Sequence, residues 1–327
     1  FDPPFHPGQS ALLHKQPDGV WRIDLQLGWD TDPEEEKKPE NVIPRLKAML
    51  GEEVDFELEW VSVYTFQCRR LEHFRHGRVF FIGDSAHQVS PFGARGGNAG
   101  VQDADNLCWK LAAVLDGRAG ESLLDSYEVE RIPAAEENIL HSTRSTDFIT
   151  PKNAVSRAFR DATLELAAEL PFARTLVNSG RLSRAYAPPH GGPGALGPHS
   201  LGPGSPCPDA PLQRGNQRSW LLHQLQGGFF GIYFTDQPLS EEESAKLARL
   251  TGAHPDLQSL IIASQDCQNP GVWQDCDGLF EARYGATPGS FTLVRPDQHV
   301  VQSWPVLDCE AVARSRAEAL SQEYPVS

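Results

Sequence analysis

The sequence predicts a mixed α/β protein of more than one domain, and three observations lead there. At 327 residues the chain exceeds a usual single domain. Strand-like and helix-like stretches alternate along much of it. In its first third, a short apolar strand runs into a glycine-rich loop that opens a long helix. A hydrophobic content of 39% with 22% charged residues suits a globular chain with a sizeable core. The formal net charge of −15 argues against nucleic acid and anionic membrane surfaces as partners. No run approaches the roughly 18 apolar residues of a membrane span. Phe1-Asp2-Pro3-Pro4 shows no basic-then-apolar leader, so a cytoplasmic location is expected. The chain opens without Met, in a loop entering a strand, as a fragment would.

The elements follow in order. Residues 10–15 and 20–27 read as strands around the turn Gln16-Pro17-Asp18-Gly19. In the second, Trp21, Ile23, Leu25 and Leu27 share one face, with Arg22, Asp24 and Gln26 on the other, as in a sheet covered on one side. An acidic loop (30–40), a short helix (41–50) and a long strand (54–67) complete this part. Residues 78–82, RVFFI, read as a short buried strand. The helix after the glycine-rich loop places Val101, Ala104, Leu107, Cys108, Leu111, Ala112 and Leu115 at helical spacing, and Gly117 ends it. Further helices are expected over 122–146 (interrupted near Pro133), 154–169 and 172–178.

Residues 185–211 are dense in Pro and Gly and read as a linker or an ordered wrap. Beyond them come strands at 229–234 and 257–263, a helix at 240–250, a hairpin of 290–295 with 299–304, and a closing helix at 309–323. Trp220, Trp273 and Trp304 read as core of this last part. The six cysteines show no CxxC pair and no zinc spacing, so reduced thiols and no metal site are expected.

The stretch that carries chemistry is Gly83-Asp84-Ser85-Ala86-His87, then Pro91-Phe92-Gly93-Ala94-Arg95-Gly96-Gly97-Asn98-Ala99-Gly100. Strand, glycine-rich loop and helix start form an anion-accepting site. The glycines let a flat ligand approach the backbone. Asp84 suits a hydroxyl chain and repels phosphate, and the Gly-Lys-Ser/Thr of a nucleotide-triphosphate loop is missing.

Together with Gln102-Asp103-Ala104-Asp105-Asn106-Leu107-Cys108-Trp109-Lys110-Leu111-Ala112, this stretch strongly resembles the second flavin-binding motif of the single-component FAD-dependent aromatic-ring hydroxylases. The 4-hydroxybenzoate, phenol and 3-hydroxyphenylpropionate hydroxylases belong to that family. The resemblance implies the C-terminal part of a glutathione-reductase-like FAD-binding domain. It gives residues 1–75 to a β-rich substrate-covering domain and 76–184 to the FAD-binding domain with its long helices. It makes 212–327 a thioredoxin-like domain, here without CxxC. It implies an NADPH- or NADH-using monooxygenase that hydroxylates an aromatic, phenolic substrate with oxygen through a flavin C4a-hydroperoxide. Asp84 would bind the ribityl hydroxyls of FAD, and Gly83 beside it would also be cofactor-binding. The backbone around Gly96, Gly97 and Asn98 would meet the pyrimidine edge of the isoalloxazine, Gly93 would belong to the same cofactor-binding loop, Arg95 would favour anionic flavin, and Pro91 would lie near the C4a edge, where reaction occurs. The family's upstream GxGxxG region is not in this sequence. That leaves two arrangements open, an incomplete chain or a second chain carrying the N-terminal FAD half, and a homodimer is a further expectation.

Other residues remain open. Arg22, Asp24 and Gln26 fit a substrate-pocket lining and equally the outer face of any half-exposed sheet. Arg69, Arg70, Arg75, His76 and Arg78 fit a nicotinamide-phosphate site less well than a solvated basic surface. His87 fits a packing or hydrogen-bonding role better than a general base. Rival functions are a flavin epoxidase or oxidase on the same scaffold, and a non-catalytic flavin- or aromatic-binding or assembly module.

Overall fold

The computed structural model describes residues 2–28, 30–91, 93–177, 201–265 and 271–322. It divides into two compact units. The first comprises Phe1–Arg69, Gln88–Gly96 and Asn138–Ser183, and the second Arg70–His87, Gly97–Glu137 and Arg184–Ser327.

In the first unit, strands Ala11–Lys15 and Trp21–Leu25 pair antiparallel, Lys15 opposite Trp21 and Ala11 opposite Leu25. Asp18 and Gly19, both at positive φ, close the turn between them. The expected covered face is not formed at the hairpin's tip, where Trp21 is 52% exposed. With only two strands in this sheet, alternation alone does not create a second layer to cover it. The expected acidic loop is partly helical. Asp32 caps the Pro33–Glu36 helix by accepting from the Glu34 N–H, and Pro33 pre-sets its first turn. The Pro39–Leu50 helix follows, again opened by a proline.

The expected strand at 54–67 does not form: these residues pair with no strand among the described residues. β-propensity supplies suitable side chains, but a strand exists only when a partner accepts its ladder. Helices Ala154–Glu169 and Pro171–Val177 appear as expected, the first capped by the Asn153 side chain accepting from the Ser156 N–H. Asn178, at the end of the expected 172–178 helix, lies outside the described residues.

In the second unit, the expected buried strand at 78–82 shrinks to Val79–Phe80, paired with Arg75–His76. Val79 is 55% and Ile82 39% exposed, because a two-residue hairpin has no neighbouring strands to bury it. Behind it, Phe74, Ala86, Leu107, Tyr127 and Ala135 form a small core, and the Tyr127 hydroxyl donates to the Phe81 carbonyl at 2.8 Å. Leu107 and Tyr127 come from the two long helices, Arg95–Leu115 and Asp125–Ile149; the second runs through Pro133 without ending there.

The rest of this unit is built on a seven-stranded sheet. Its order is Val300–Trp304, Phe291–Val294, Phe229–Thr235, Leu257–Ala263, Val272–Asp275, Pro211–Arg214 and Gln217–Trp220. The three middle strands from Phe229 to Asp275 are parallel and the outer pairings antiparallel. Phe229–Thr235 is buried throughout, and a Cβ on Gly231 would sit 2.2 Å from the Phe291 ring. The Glu241–Ala253 helix opens with a reciprocal Ser240–Glu243 capping box, and Cys309–Ala319 closes the described part.

Strands Pro211–Arg214, Gln217–Trp220 and Val272–Asp275 were not expected; they are short, and the first two are rich in polar residues. Of the Pro/Gly-rich segment, 185–200 lie outside the described residues. Residues 201–211 run against the sheet, with Cys207 buried and its N–H bonded to the Gln298 carbonyl. Trp273 is core as expected, but Trp220 is 47% exposed, on the edge strand. Among the described residues, Cys68, Cys108, Cys207, Cys276 and Cys309 are all free thiols; Cys267 lies outside them.

Candidate functional site

The glycine-rich stretch begins in the second unit with a single 3-10 turn, Gly83–Ser85. Gly83 takes φ +54°, the left-handed region that favours glycine, and the Ala86 N–H returns to the Gly83 carbonyl at 2.9 Å. The Ser85 hydroxyl donates to the Ile82 carbonyl at 2.7 Å. This turn holds Asp84 at the surface, exposed to solvent. Gly100, in the second turn of the long helix, approaches the same point: a Cβ there would lie 3.2 Å from the Gly83 Cα. Two glycines thus let the helix start pack against the turn that presents Asp84.

One helical turn further on, Asp103 is fully buried. Its Oδ2 accepts from the Gly83 N–H at 3.0 Å and faces His87 Nε2 at 2.6 Å, and its Oδ1 accepts from Arg131 Nε at 2.7 Å. Burial pushes the Asp103 carboxyl up. The hydrogen bond from His87 and the charge of Arg131 outweigh it, so the group is held below the usual carboxylate range. His87 is itself buried, against Phe74, and Phe74 lies in the apolar core beside it.

Gly97 and Asn98, at the helix start in this unit, are exposed. A Cβ on Gly97 would meet nothing within 4 Å, and its φ is not in the left-handed region. The chain itself therefore does not require glycine at 97.

The remainder of the stretch belongs to the first unit. Ser90 is buried, with its hydroxyl 2.5 Å from that of Ser142 and 2.8 Å from that of Thr146, which pins the loop to the Asp125–Ile149 helix. Pro91 is exposed, and Gly93 (φ +89°) and Ala94 (φ +51°) turn the chain into the helix. Gly96 faces the Val89 side chain, 3.4 Å from where its Cβ would stand. Arg95, which the sequence reading aims at a ligand as a fixed charge, is 6% exposed, and its Nη1 donates to Asn138 Oδ1 at 2.7 Å. Arg22 pairs with Asp24 at 2.9 Å on the surface, while the Gln26 side chain accepts from the Ser10 N–H. In the second unit, Arg70 pairs with Glu136, and Arg75 with Glu121 and Asp125.

Sequence reasoning missed a second polar cluster on the long helix. Its buried stripe is Ala99, Asp103, Asn106, Leu107, Lys110 and Ala113, whereas Val101 and Leu115, expected inside, are 70% and 82% exposed. Lys110 Nζ lies 3.2 Å from Glu130 Oε1, and Arg295 donates to both Glu130 oxygens and to Asp297. Asn106 donates to Glu130 at 2.7 Å. Burial pushes the Lys110 ammonium down to about 8, while Arg295 and Lys110 overcome burial and hold Glu130 at about 2. Only the spacing 103, 106, 110 could have flagged this stripe, and hydrophobic periodicity ignores it.

Among the described residues no group of three or more His, Cys, Asp or Glu is placed to hold a metal ion, and no helix is long and apolar enough to cross a membrane. Two open surface depressions, one lined by Pro151, Asn153 and Arg157 and one by Trp304, Leu307 and Glu310, contain none of the residues from 83 to 100.

Residues 11–142 match the family described as FAD binding domain. The chain is 33% identical over 306 residues to 6-methylpretetramide 4-monooxygenase of Streptomyces rimosus, covering 89% of this chain and 53% of that protein. It is 31% identical over 303 residues to 3-(3-hydroxy-phenyl)propionate/3-hydroxycinnamic acid hydroxylase of Mycobacterium sp. (strain JLS), covering 86% of this chain and 51% of that one. In fold it is similar to aklavinone-11 hydroxylase, solved with FAD and aklavinone, at TM-score 0.72 and 22% identity over 97% of this chain and 58% of that chain. The chain spans about half the length of these curated relatives. Residues 11–142 thus carry a match to the FAD binding domain family, and the chain is similar in sequence to aromatic and polyketide hydroxylases.

Proposed function

We propose that this chain supplies the isoalloxazine and ribityl side of an FAD site in a monooxygenase that hydroxylates an aromatic, phenolic ring. The observation that carries this reading is Gly97: a glycine that neither φ nor packing demands, exposed at a helix start whose neighbouring turn presents Asp84. A flat ring lying on that backbone would need the Cβ to be absent. The residues fit the cofactor. The exposed Asp84 carboxylate accepts from ribityl hydroxyls, and the helix start stabilises negative charge on the ring. Gly83, Gly93, Gly96 and Asn98 contribute backbone, Arg95 contributes positive charge to the loop, and Pro91 borders the reacting edge.

Once reduced by NADPH or NADH, FAD supplies the oxygen-activating chemistry. This chain's residues bind it, orient it and hold its charge. Residues 1–75, with Arg22, Asp24 and Gln26, cover the substrate. Residues 76–184 hold the flavin, 185–211 link, and 212–327 form a thioredoxin-like module. The whole protein works in the cytoplasm, as a homodimer.

The test is FAD titration of the full protein and its Gly97→Leu variant. We expect the variant to bind at least about tenfold more weakly, with its folded circular dichroism unchanged. Equal affinity overturns the assignment. Product analysis under labelled oxygen then separates hydroxylation, which leaves label in the organic product, from oxidase chemistry, which does not.

A further inference from the structure

The buried Asp103 carboxylate is more elaborate than a structural ion pair requires. It gathers three donors: the Gly83 N–H, His87 Nε2 and Arg131 Nε, at 3.0, 2.6 and 2.7 Å. Two of them flank Asp84 in the chain, one residue before it and three after. The third comes from the neighbouring long helix. Asp103 is fully buried, His87 2% exposed and Arg131 6% exposed, so water does not compete for these bonds. A carboxylate can only accept, so Nε2 of His87 is its protonated nitrogen.

We infer that Asp103 is a positioning residue for the proposed ribityl contact: it clamps both ends of the turn that presents Asp84, so Asp84 meets the ligand already oriented. This rests on the flavin reading above. Pre-ordering matters because an exposed carboxylate on a loose turn would lose rotamer and backbone freedom on every binding event. The clamp and the Gly83–Gly100 contact remove that cost in advance. Arg131 keeps the carboxylate charged in a place where burial alone would neutralise it.

The experiment is a double-mutant cycle on FAD affinity in the full protein, with wild type, Asp84→Ala, Asp103→Asn and the double variant. An asparagine at 103 keeps shape but offers one accepting oxygen where the clamp uses two. We expect each single variant to weaken FAD by about tenfold to a hundredfold, the loss of a charge-assisted hydrogen bond. The double variant should be no weaker than the worse single by more than about threefold, because Asp103 acts through Asp84. If Asp103→Asn fails to fold, Asp103→Asn with Arg131→Gln removes the stranded cation and serves in its place in the cycle. His87→Gln, which keeps a side-chain N–H, should bind FAD better than His87→Leu at equal melting temperature.

Losses that multiply in the double variant overturn the inference, and so do equal affinities for His87→Gln and His87→Leu. A wild-type protein that takes up no FAD overturns the flavin reading, and the inference with it. A wild type that binds, with multiplicative variants, overturns the inference alone.

Discussion

Replacing Glu130 by Gln tests how far the second unit depends on its buried charges. The carboxylate is 2% exposed and receives Arg295 Nη1 at 2.8 Å, Arg295 Nη2 at 2.9 Å and Asn106 at 2.7 Å, with Lys110 at 3.2 Å. Glutamine preserves the volume and removes the charge, leaving Lys110 and Arg295 with Asp297 as the principal counter-ion. Two routes give the magnitude. Removing one partner of a buried ion pair costs about 3–5 kcal/mol. Independently, Glu130 titrates at about 2 against an ordinary 4.5, and each unit is about 1.36 kcal/mol, so the folded state favours the charged form by about 3 kcal/mol.

The two agree, and the second also gives a sign. A depressed carboxylate stabilises fully above about 4.5, and that contribution is lost as pH falls through about 2. Glu130→Gln should therefore be about 3 kcal/mol less stable than wild type at pH 7 in urea unfolding, with the difference shrinking progressively below pH 4.5. A second readout is Lys110. Burial already lowers it to about 8, and without Glu130 it should fall further. A variant within about 1 kcal/mol of wild type at pH 7, or a difference that does not shrink in acid, would refute the reasoning.

Two other predictions are simpler. Gly231→Ala puts a Cβ 2.2 Å from the Phe291 ring on the adjacent strand, and should cost about 1–3 kcal/mol in thermal unfolding, relieved when Phe291 is shortened to Leu. Cys207 is buried, and burial pushes its thiol up to about 12, so it should resist a thiol-labelling reagent at pH 8 in the native protein and react once denatured, as mass spectrometry of the labelled peptide would show.

By itself the sequence located the strand, loop and helix order around 83 to 100 and several of the C-terminal elements. Glycine runs, capping residues and two-residue periodicity are local properties, and the strand at 257–263 appears with the same ends as expected. Gly83 was legible for the same reason, since its φ of +54° is one that a residue without a Cβ adopts readily. What only the tertiary structure decided is which face of the long helix is inside. Hydrophobic periodicity pointed to Val101 and Leu115, both of which are exposed. The buried face carries Asp103, Asn106 and Lys110, whose burial is tolerable only because Arg131, Glu130, Arg295 and Asp297 arrive from other parts of the chain. The strand expected at 54–67 failed for the related reason that a ladder needs a partner. A charge's place inside, like a strand's existence, is set by a partner, and partners distant in sequence leave no mark on local pattern.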